Sequence, residues 1–176
     1  VLVKAAAGYT VSFSAPGLAV VQSGAFTISP AAASKLGVSA EPVNGVSNGV
    51  MDTMTVSVLD IHDNVVTGSS ASIVSTLSSN SFSAGTTTRS ASSGVSTFDN
   101  LQVAVAASGY TIAFSSSGLT SVTSSAFDMV AGAPSKLAIS SQPSTTAAGS
   151  AASVSLTFTD ANNNPVLYSG LITASL

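Results

Sequence analysis

The sequence predicts an all-β chain that consists of tandem β-sandwich domains. Apolar and polar residues alternate through much of it, as in Met54 to Val58, and a period of two is typical of half-buried strands. Residues 8–29 return at 109–130, an offset of 101 positions, so the chain contains an internal repeat. No segment combines a capping residue with a 3.6-residue apolar period, and no helix longer than one turn is predicted.

The length of the repeat defines the expected domain boundaries. The offset of 101 holds as far as Pro42 and Pro143, after which the register slips by one, so that Asp60 corresponds to Asp160. A period near 100 residues is the size of one small β-sandwich and too long for a solenoid unit. We therefore expect the C-terminal part of one domain, a complete domain and the N-terminal part of a following domain, at residues 1–32, 33–131 and 132–176 respectively.

Strands in the complete repeat are predicted where alternation is bounded by Gly, Asn, Ser and Pro. About seven strands per repeat suit an immunoglobulin-like sandwich. The junctions contain only small residues, Ala31 to Ala33 and Ala131 to Pro134, and such short connections indicate a stiff rod. The predicted strands are 35–40, 52–60, 71–77, 82–88, 94–98, 109–115 and 125–130.

Two tyrosines occupy the same frame of the repeat. Tyr9 and Tyr110 each follow a glycine and precede a buried-type Val11 or Ile112 by two positions. This is where β-sandwiches place a tyrosine corner, whose ring fills the edge of the core while its hydroxyl bonds to upstream backbone. The alternative is that tyrosine is simply a good strand former. Recurrence in both copies favours a structural role as a corner.

Composition excludes several classes of function. The chain has four basic and seven acidic residues, so neither nucleic acid nor an anionic membrane is an expected partner, and no apolar run is long enough to insert into a bilayer. Cysteine is absent, and disulfides are excluded. The charge-poor surface must be rich in Ser and Thr, which could carry O-linked glycans. With no initiator Met and no signal segment, we interpret the sequence as part of a longer exported chain, extracellular or at the cell surface.

Three segments carry a family likeness: the strand and turn from Val56 to Val66, its second version from Phe158 to Val166, and Gly94 to Phe98. Together they resemble bacterial immunoglobulin-like domains of the invasin and intimin type. These have a strand, then Asp-x-x-Gly-Asn-x-Val, and later Gly-x-Ala-x-Phe. The family's usual glycine is Asp63 here and Asn163 in the second copy, and both residue types tolerate a left-handed turn. The resemblance implies tandem domains in surface fibres or stalks. A filamin-like repeat is a weaker resemblance.

Oxygen-bearing residues cluster in the two equivalent turns and are candidate calcium ligands. A calcium site needs six to eight oxygens, and the local sequence supplies only a few. Asx side chains that cap their own turn are the simpler explanation. Calcium is therefore a weak prediction, and no other cofactor is expected. The candidate ligands are Asp60, Asp63, Asn64, Asp160 and Asn162.

Catalysis is not predicted. His62 is the only histidine, and any Ser-His-Asp scheme would require it, yet the equivalent residue in the next copy is Asn162. Lys35 and Lys136 recur at the start of the first strand. They could form an ion pair across domains, for example with Glu41, or discourage unwanted pairing at a sheet edge. We favour the second interpretation.

Two hypotheses for function remain. The first is a structural extracellular protein, a repeat module of a surface fibre or stalk that binds copies of itself head to tail and is assembled by strand sharing between neighbouring protomers. The alternative is an adhesin segment that binds a glycan or protein on another surface. Stacking platforms for such ligands usually need exposed aromatic residues. Tryptophan is absent and only three tyrosines occur, which favours the stalk.

Overall fold

A computed structural model describes residues 1–175 and shows an all-β chain with no helix in that range. Its strands form several small sheets, which is consistent with a β-sandwich. Most strands are short, with two to six residues each. They are β1 (Ala6–Tyr9), β2 (Ser12–Phe13), β3 (Val21–Gln22), β4 (Phe26–Ile28), β5 (Lys35–Ala40), β6 (Gly45–Val46), β7 (Met54–Leu59), β8 (Ser72–Leu77), β9 (Thr88–Ser90), β10 (Val95–Phe98), β11 (Ala107–Tyr110), β12 (Ile112–Ser115), β13 (Val122–Thr123), β14 (Phe127–Val130), β15 (Lys136–Ser141) and β16 (Ser155–Thr159).

Strands β5 to β14 build the central part of the molecule. One sheet has the order β10-β7-β5, a second has the order β13-β12-β8-β9, and a third has the order β11-β14-β6, in which β14 and β6 run parallel. Strand β5 also reaches the second sheet at its beginning, since the Leu36 N–H donates to the Thr120 carbonyl at 2.9 Å. The sheets are thereby linked along one edge.

The hydrophobic core lies between these sheets. Phe98 of β10 and Phe114 of β12 are fully buried, and their ring centroids are 5.3 Å apart, so the first and second sheets pack face to face. Alternate residues of β8, β10 and β12 point into this core, as the period of two predicts. All buried hydrophobic side chains of the described chain belong to the central part: Leu36, Met51, Met54, Val56, Val58, Ile73, Leu77, Ala91, Phe98, Leu101, Val103, Tyr110, Ile112, Phe114, Phe127 and Met129.

The flanking segments repeat pieces of this arrangement. β1 pairs with β4 as β11 pairs with β14, down to the same partners, Tyr9 opposite Phe26 and Tyr110 opposite Phe127. β15 and β16 pair in the manner of β5 and β7. The flanks differ from the central part in burial, because Phe13 is 61% exposed whereas its equivalent Phe114 is fully buried.

The strand predicted at 82–88 overlaps the observed strand β9 (Thr88–Ser90) only at Thr88. Residues 82–87 make one isolated bridge, between Ala84 and Gln102. The cause is Gly85, whose φ is +106° and whose missing side chain lets the backbone lie against the Asn100 carbonyl; a Cβ there would come within 2.3 Å of that oxygen. A backbone bent in this way cannot continue a ladder.

Three shorter features also escaped the sequence pattern. The predicted strand 109–115 is divided into β11 and β12, which pair with different sheets. Two-residue strands β6 and β13 were not predicted, because such short pairings leave no visible alternation. The central part therefore has ten short strands where about seven were expected.

Replacement of Phe114 by alanine should destabilise the central part by about 3–5 kcal/mol, because the side chain is fully buried and its loss leaves a cavity. The measurement is urea-induced unfolding followed by circular dichroism. Phe13→Ala is the matched control, since this residue occupies the same repeat position but is largely exposed, and its effect should stay within about 1 kcal/mol. Equal losses in both variants would contradict the assignment of the core.

Candidate functional site

The most conspicuous polar site is the turn that follows β7, from Asp60 to Asn64. The Asp60 N–H donates to the Asn64 carbonyl at 2.9 Å, and the Asp63 N–H donates to the Asp60 carbonyl at 3.3 Å. Asp63 has a φ of +66°, the left-handed conformation that glycine adopts most readily. Asn163 has a φ of +67° in the second turn. Asp and Asn are the residues that adopt this conformation most easily after glycine, so the turn is kept.

The Asp60 carboxylate is fully buried and accepts four hydrogen bonds. Its Oδ1 accepts from the backbone N–H groups of His62 at 2.8 Å and Asn64 at 2.9 Å. Its Oδ2 accepts from the Asn64 side-chain amide at 2.9 Å and from the Ala31 N–H at 2.8 Å. Ala31 belongs to the junction that precedes β5. The carboxylate therefore joins its own turn to the preceding segment.

The Asn64 side chain makes the second connection across the junction. Its Oδ1 accepts from the Ala5 N–H at 2.8 Å, and its Nδ2 donates to the Val3 carbonyl at 2.7 Å as well as to Asp60. Only a carboxamide can accept and donate in this way. Since Val3 and Ala5 precede β1, the turn is bonded to two separate parts of the preceding segment. We call the Asp60 and Asn64 side chains with their backbone partners the first clamp.

The same arrangement recurs one repeat later, and we call it the second clamp. Asp160 accepts from the backbone N–H groups of Asn162, Asn164 and Gly132 at 2.8, 2.9 and 2.9 Å. Asn164 accepts from the Ala106 N–H and donates to the Ala104 carbonyl, both at 2.8 Å. It also donates to Asp160 at 2.8 Å. The second clamp thus repeats the first clamp atom for atom.

A hydroxyl adds one more contact to the second clamp. Ser47, which follows β6 and is 7% exposed, donates its Oγ–H to Asp160 Oδ2 at 2.5 Å and accepts from the Gly132 N–H at 3.2 Å. Since Ser47 belongs to the central part and Asp160 to the segment after it, this contact also crosses the junction.

The clamps lower the pKa of both aspartates. Burial by itself raises the pKa of the Asp60 carboxyl, but the hydrogen bonds from the Asn64 side chain and from the Asn64, Ala31 and His62 backbone outweigh it. The net pKa lies well below the ordinary range. For Asp160, burial is likewise outweighed by hydrogen bonds from Asn164, Ser47 and Gly132. Both carboxylates are therefore ionised at neutral pH and solvated by N–H and O–H donors.

The five candidate calcium ligands have been brought together only in part. Asp60 and Asn64 face each other and the preceding segment, and their oxygens accept hydrogen bonds from N–H groups. The Asp63 carboxylate points elsewhere and forms an ion pair with Lys35 at 2.8 Å. At Asn162 the backbone N–H, bonded to Asp160, takes part in the turn. Within residues 1–175 no group of three or more His, Cys, Asp and Glu side chains has the spacing of a metal site.

The recurring lysines bond to the turn of their own repeat. Lys35 pairs with Asp63, and Lys136 donates to the Ala161 carbonyl at 2.7 Å and to Asn163 Oδ1 at 2.9 Å. Lys136 begins β15, an edge strand, whereas Lys35 begins β5 at a point where this strand is bridged to Thr120. Glu41 is not their partner, since its Oε2 accepts from the Ser125 N–H at 2.9 Å.

The two tyrosines have the geometry of a tyrosine corner. The Tyr110 hydroxyl donates to the Val105 carbonyl at 3.1 Å and accepts from Asn80 Nδ2 at 2.8 Å, and its ring lies 5.8 Å from that of Phe127. Tyr9 repeats the first of these bonds, to the Lys4 carbonyl at 3.0 Å. The two acceptor carbonyls lie in the stretch that is bonded by Asn64 or Asn164, so the corner and the clamp hold the same segment.

His62 is exposed, and its backbone N–H serves the Asp60 carboxylate. Sequence reasoning singled out Asp60, Asn64 and Asp160 but missed the junction as their binding partner. One signal was available: Asp60 and Asn64 recur as Asp160 and Asn164, whereas His62 between them changes.

A scan of the chain against protein-family models and a search of curated proteins both returned no match. Residues 1–175 contain no helix with the length and apolar character needed to cross a membrane.

Tyr110→Phe should lower the stability of the central part by about 1 kcal/mol, since it removes one hydrogen bond and leaves the Asn80 amide without its acceptor. Urea-induced unfolding provides the measurement. Tyr9→Phe is the control, because the bond it removes is solvent-exposed, and its effect should be smaller. An unchanged urea midpoint in Tyr110→Phe would show that the hydrogen bonds of the corner contribute nothing to stability.

The clamps should make the chain sensitive to acid. A carboxylate with a lowered folded-state pKa stabilises the fold above its unfolded pKa, about 3.9, and this contribution is lost as the pH falls towards the folded value. Asp60→Asn should therefore have a lower urea midpoint than wild type at pH 6, and the difference should shrink below about pH 4. Asp52→Asn, at an exposed aspartate, should show no such convergence.

Proposed function

We propose that the protein is a structural extracellular protein, a repeat module of a surface fibre or stalk made of tandem immunoglobulin-like sandwiches. The observation that carries this proposal is the recurrence of the same clamp at both junctions. A buried, fully bonded Asp and Asn pair connects each turn to the segment before it, at 60–64 and at 160–164. The repeats so joined form a chain of constant geometry.

The clamp favours a stiff joint for electrostatic reasons. Opening the first joint would remove the Ala31 N–H from the buried Asp60 carboxylate and would leave the Ala5 N–H and Val3 carbonyl without the Asn64 side chain. Charges and amides that lose their partners in a buried site are costly. The short connection between the repeats limits reorientation further.

Burial in the flanking segments supports assembly with neighbouring copies. Leu137 and Leu156 are 55% and 37% exposed, whereas their equivalents Leu36 and Val56 are 4% and 0% exposed in the central part. We propose that neighbouring protomers cover these strands by strand sharing, so that copies of the chain associate head to tail. The apolar area exposed in the flanks is the driving force for this association.

The surface is compatible with a packed extracellular fibre. Within residues 1–175 the ion pairs are Lys35 with Asp63 and Arg89 with Asp99, and Ser and Thr are frequent among the exposed residues. A surface with so little charge repels its copies weakly. O-linked glycans on these hydroxyls belong to the same proposal. The adhesin remains the second hypothesis.

Electron microscopy of the native material tests the function. A fibre or stalk should show a continuous filament with an axial repeat of one or two domain lengths. Single flexible chains that end in a distinct head would overturn the proposal in favour of the adhesin. Small-angle scattering of the chain of residues 1–176 complements this test, because Asn64→Leu should increase its flexibility whereas Asn44→Leu, outside both clamps, should not.

A further inference from the structure

We infer that the turn from Asp60 to Asn64 is a docking surface for the main chain of another repeat of this fold, whatever side chains that repeat carries at the three bonded positions. The inference rests on the proposed function, because it names the partner that the joint of a tandem array can accept. Its consequence is that repeats of unlike sequence can follow one another in any order.

The atoms that are recognised belong to the backbone. In the first clamp they are the Val3 carbonyl and the N–H groups of Ala5 and Ala31. No side chain of the preceding segment takes part in these three bonds. In the second clamp the corresponding three atoms are again backbone atoms.

The two clamps allow a comparison of different side chains at equivalent positions of the joint. The first clamp binds Val3 and Ala31 where the second binds Ala104 and Gly132, so two of the three positions differ. The corresponding distances nevertheless agree within 0.1 Å: 2.7 and 2.8 Å to the carbonyl, 2.8 and 2.8 Å from the first N–H, and 2.8 and 2.9 Å from the second.

The docking turn shows the opposite pattern. Its two bonding side chains are identical in the two copies, Asp and Asn, whereas the residues between and after them differ, as Ile61 does from Ala161 and Val65 from Pro165. Asn64 must accept one bond and donate two, which an aspartate at this position could not do beside Asp60. In the bonds that recur in both clamps, specificity therefore lies in two side chains on one side of the joint and in backbone on the other. The Ser47 hydroxyl is an additional side-chain contact of the second clamp.

Amide hydrogen exchange of the whole chain tests this inference at the Ala5 and Ala31 amides. In the double variant Val3→Ala with Ala31→Gly, the first joint carries the side chains of the second, and protection should change by less than about twofold. Asn64→Leu should lower protection at the Ala5 amide by about tenfold or more, which corresponds to the loss of one net hydrogen bond. Loss of protection in the double variant as large as in Asn64→Leu would overturn the inference.

A second pair of variants tests the backbone requirement directly. Ala5→Pro removes the N–H that Asn64 accepts and lies outside β1, so exchange at Ala31 should accelerate, whereas Ala5→Ser keeps the N–H and should leave it unchanged. Equal effects of the two variants would also overturn the inference. If Asn64→Leu fails to fold, Asn164→Leu, outside the central core, is read at Ala106 and Gly132. If the double variant keeps its protection but micrographs show no filaments, the proposed function is refuted and the inference stands.

Discussion

The hydrogen bonds that solvate one buried carboxylate, that of Asp60, hold its own turn and the preceding segment together. Asp60 is fully shielded from water, so its charge must be met by protein donors, and three of its four donors come from its own turn. The fourth is the Ala31 N–H of the preceding junction. The turn is fully bonded only when the preceding segment is in place. The local fold of the turn therefore depends on the position of that segment.

The clamp and the core have different parts in the molecule. The core, with Phe98 against Phe114, holds two sheets together by burial of apolar area. The clamp consists of hydrogen bonds, which fix direction because they require particular distances and angles. Tyr110 connects core and clamp. Its ring is buried in the core, and its hydroxyl donates to the Val105 carbonyl, next to the Ala106 N–H that Asn164 accepts from the following segment.

The same hydrogen bonds occupy oxygens that the sequence offers as candidate calcium ligands. The oxygens of Asp60 and Asn64 that sequence reasoning offered to a cation accept instead from N–H groups, and Asp63 is turned towards Lys35. A bound cation or a set of hydrogen-bond donors can each satisfy a cluster of acidic and amide oxygens. In the clamps most of the donors are backbone N–H groups, which do not depend on the side chain of the residue that supplies them.

The sequence by itself determined the β class, the repeat and most strand positions, because alternation of side chains and an offset of 101 are local and directly readable. It also identified Asp60, Asn64 and the tyrosine corner as recurring positions. Only the tertiary structure decided what these residues bind. Their partners, such as Ala5 and Gly132, contribute backbone atoms, which leave no signature in the side-chain sequence. The bend at Gly85 was hidden for a similar reason, since it depends on a carbonyl 15 positions further along the chain, at Asn100.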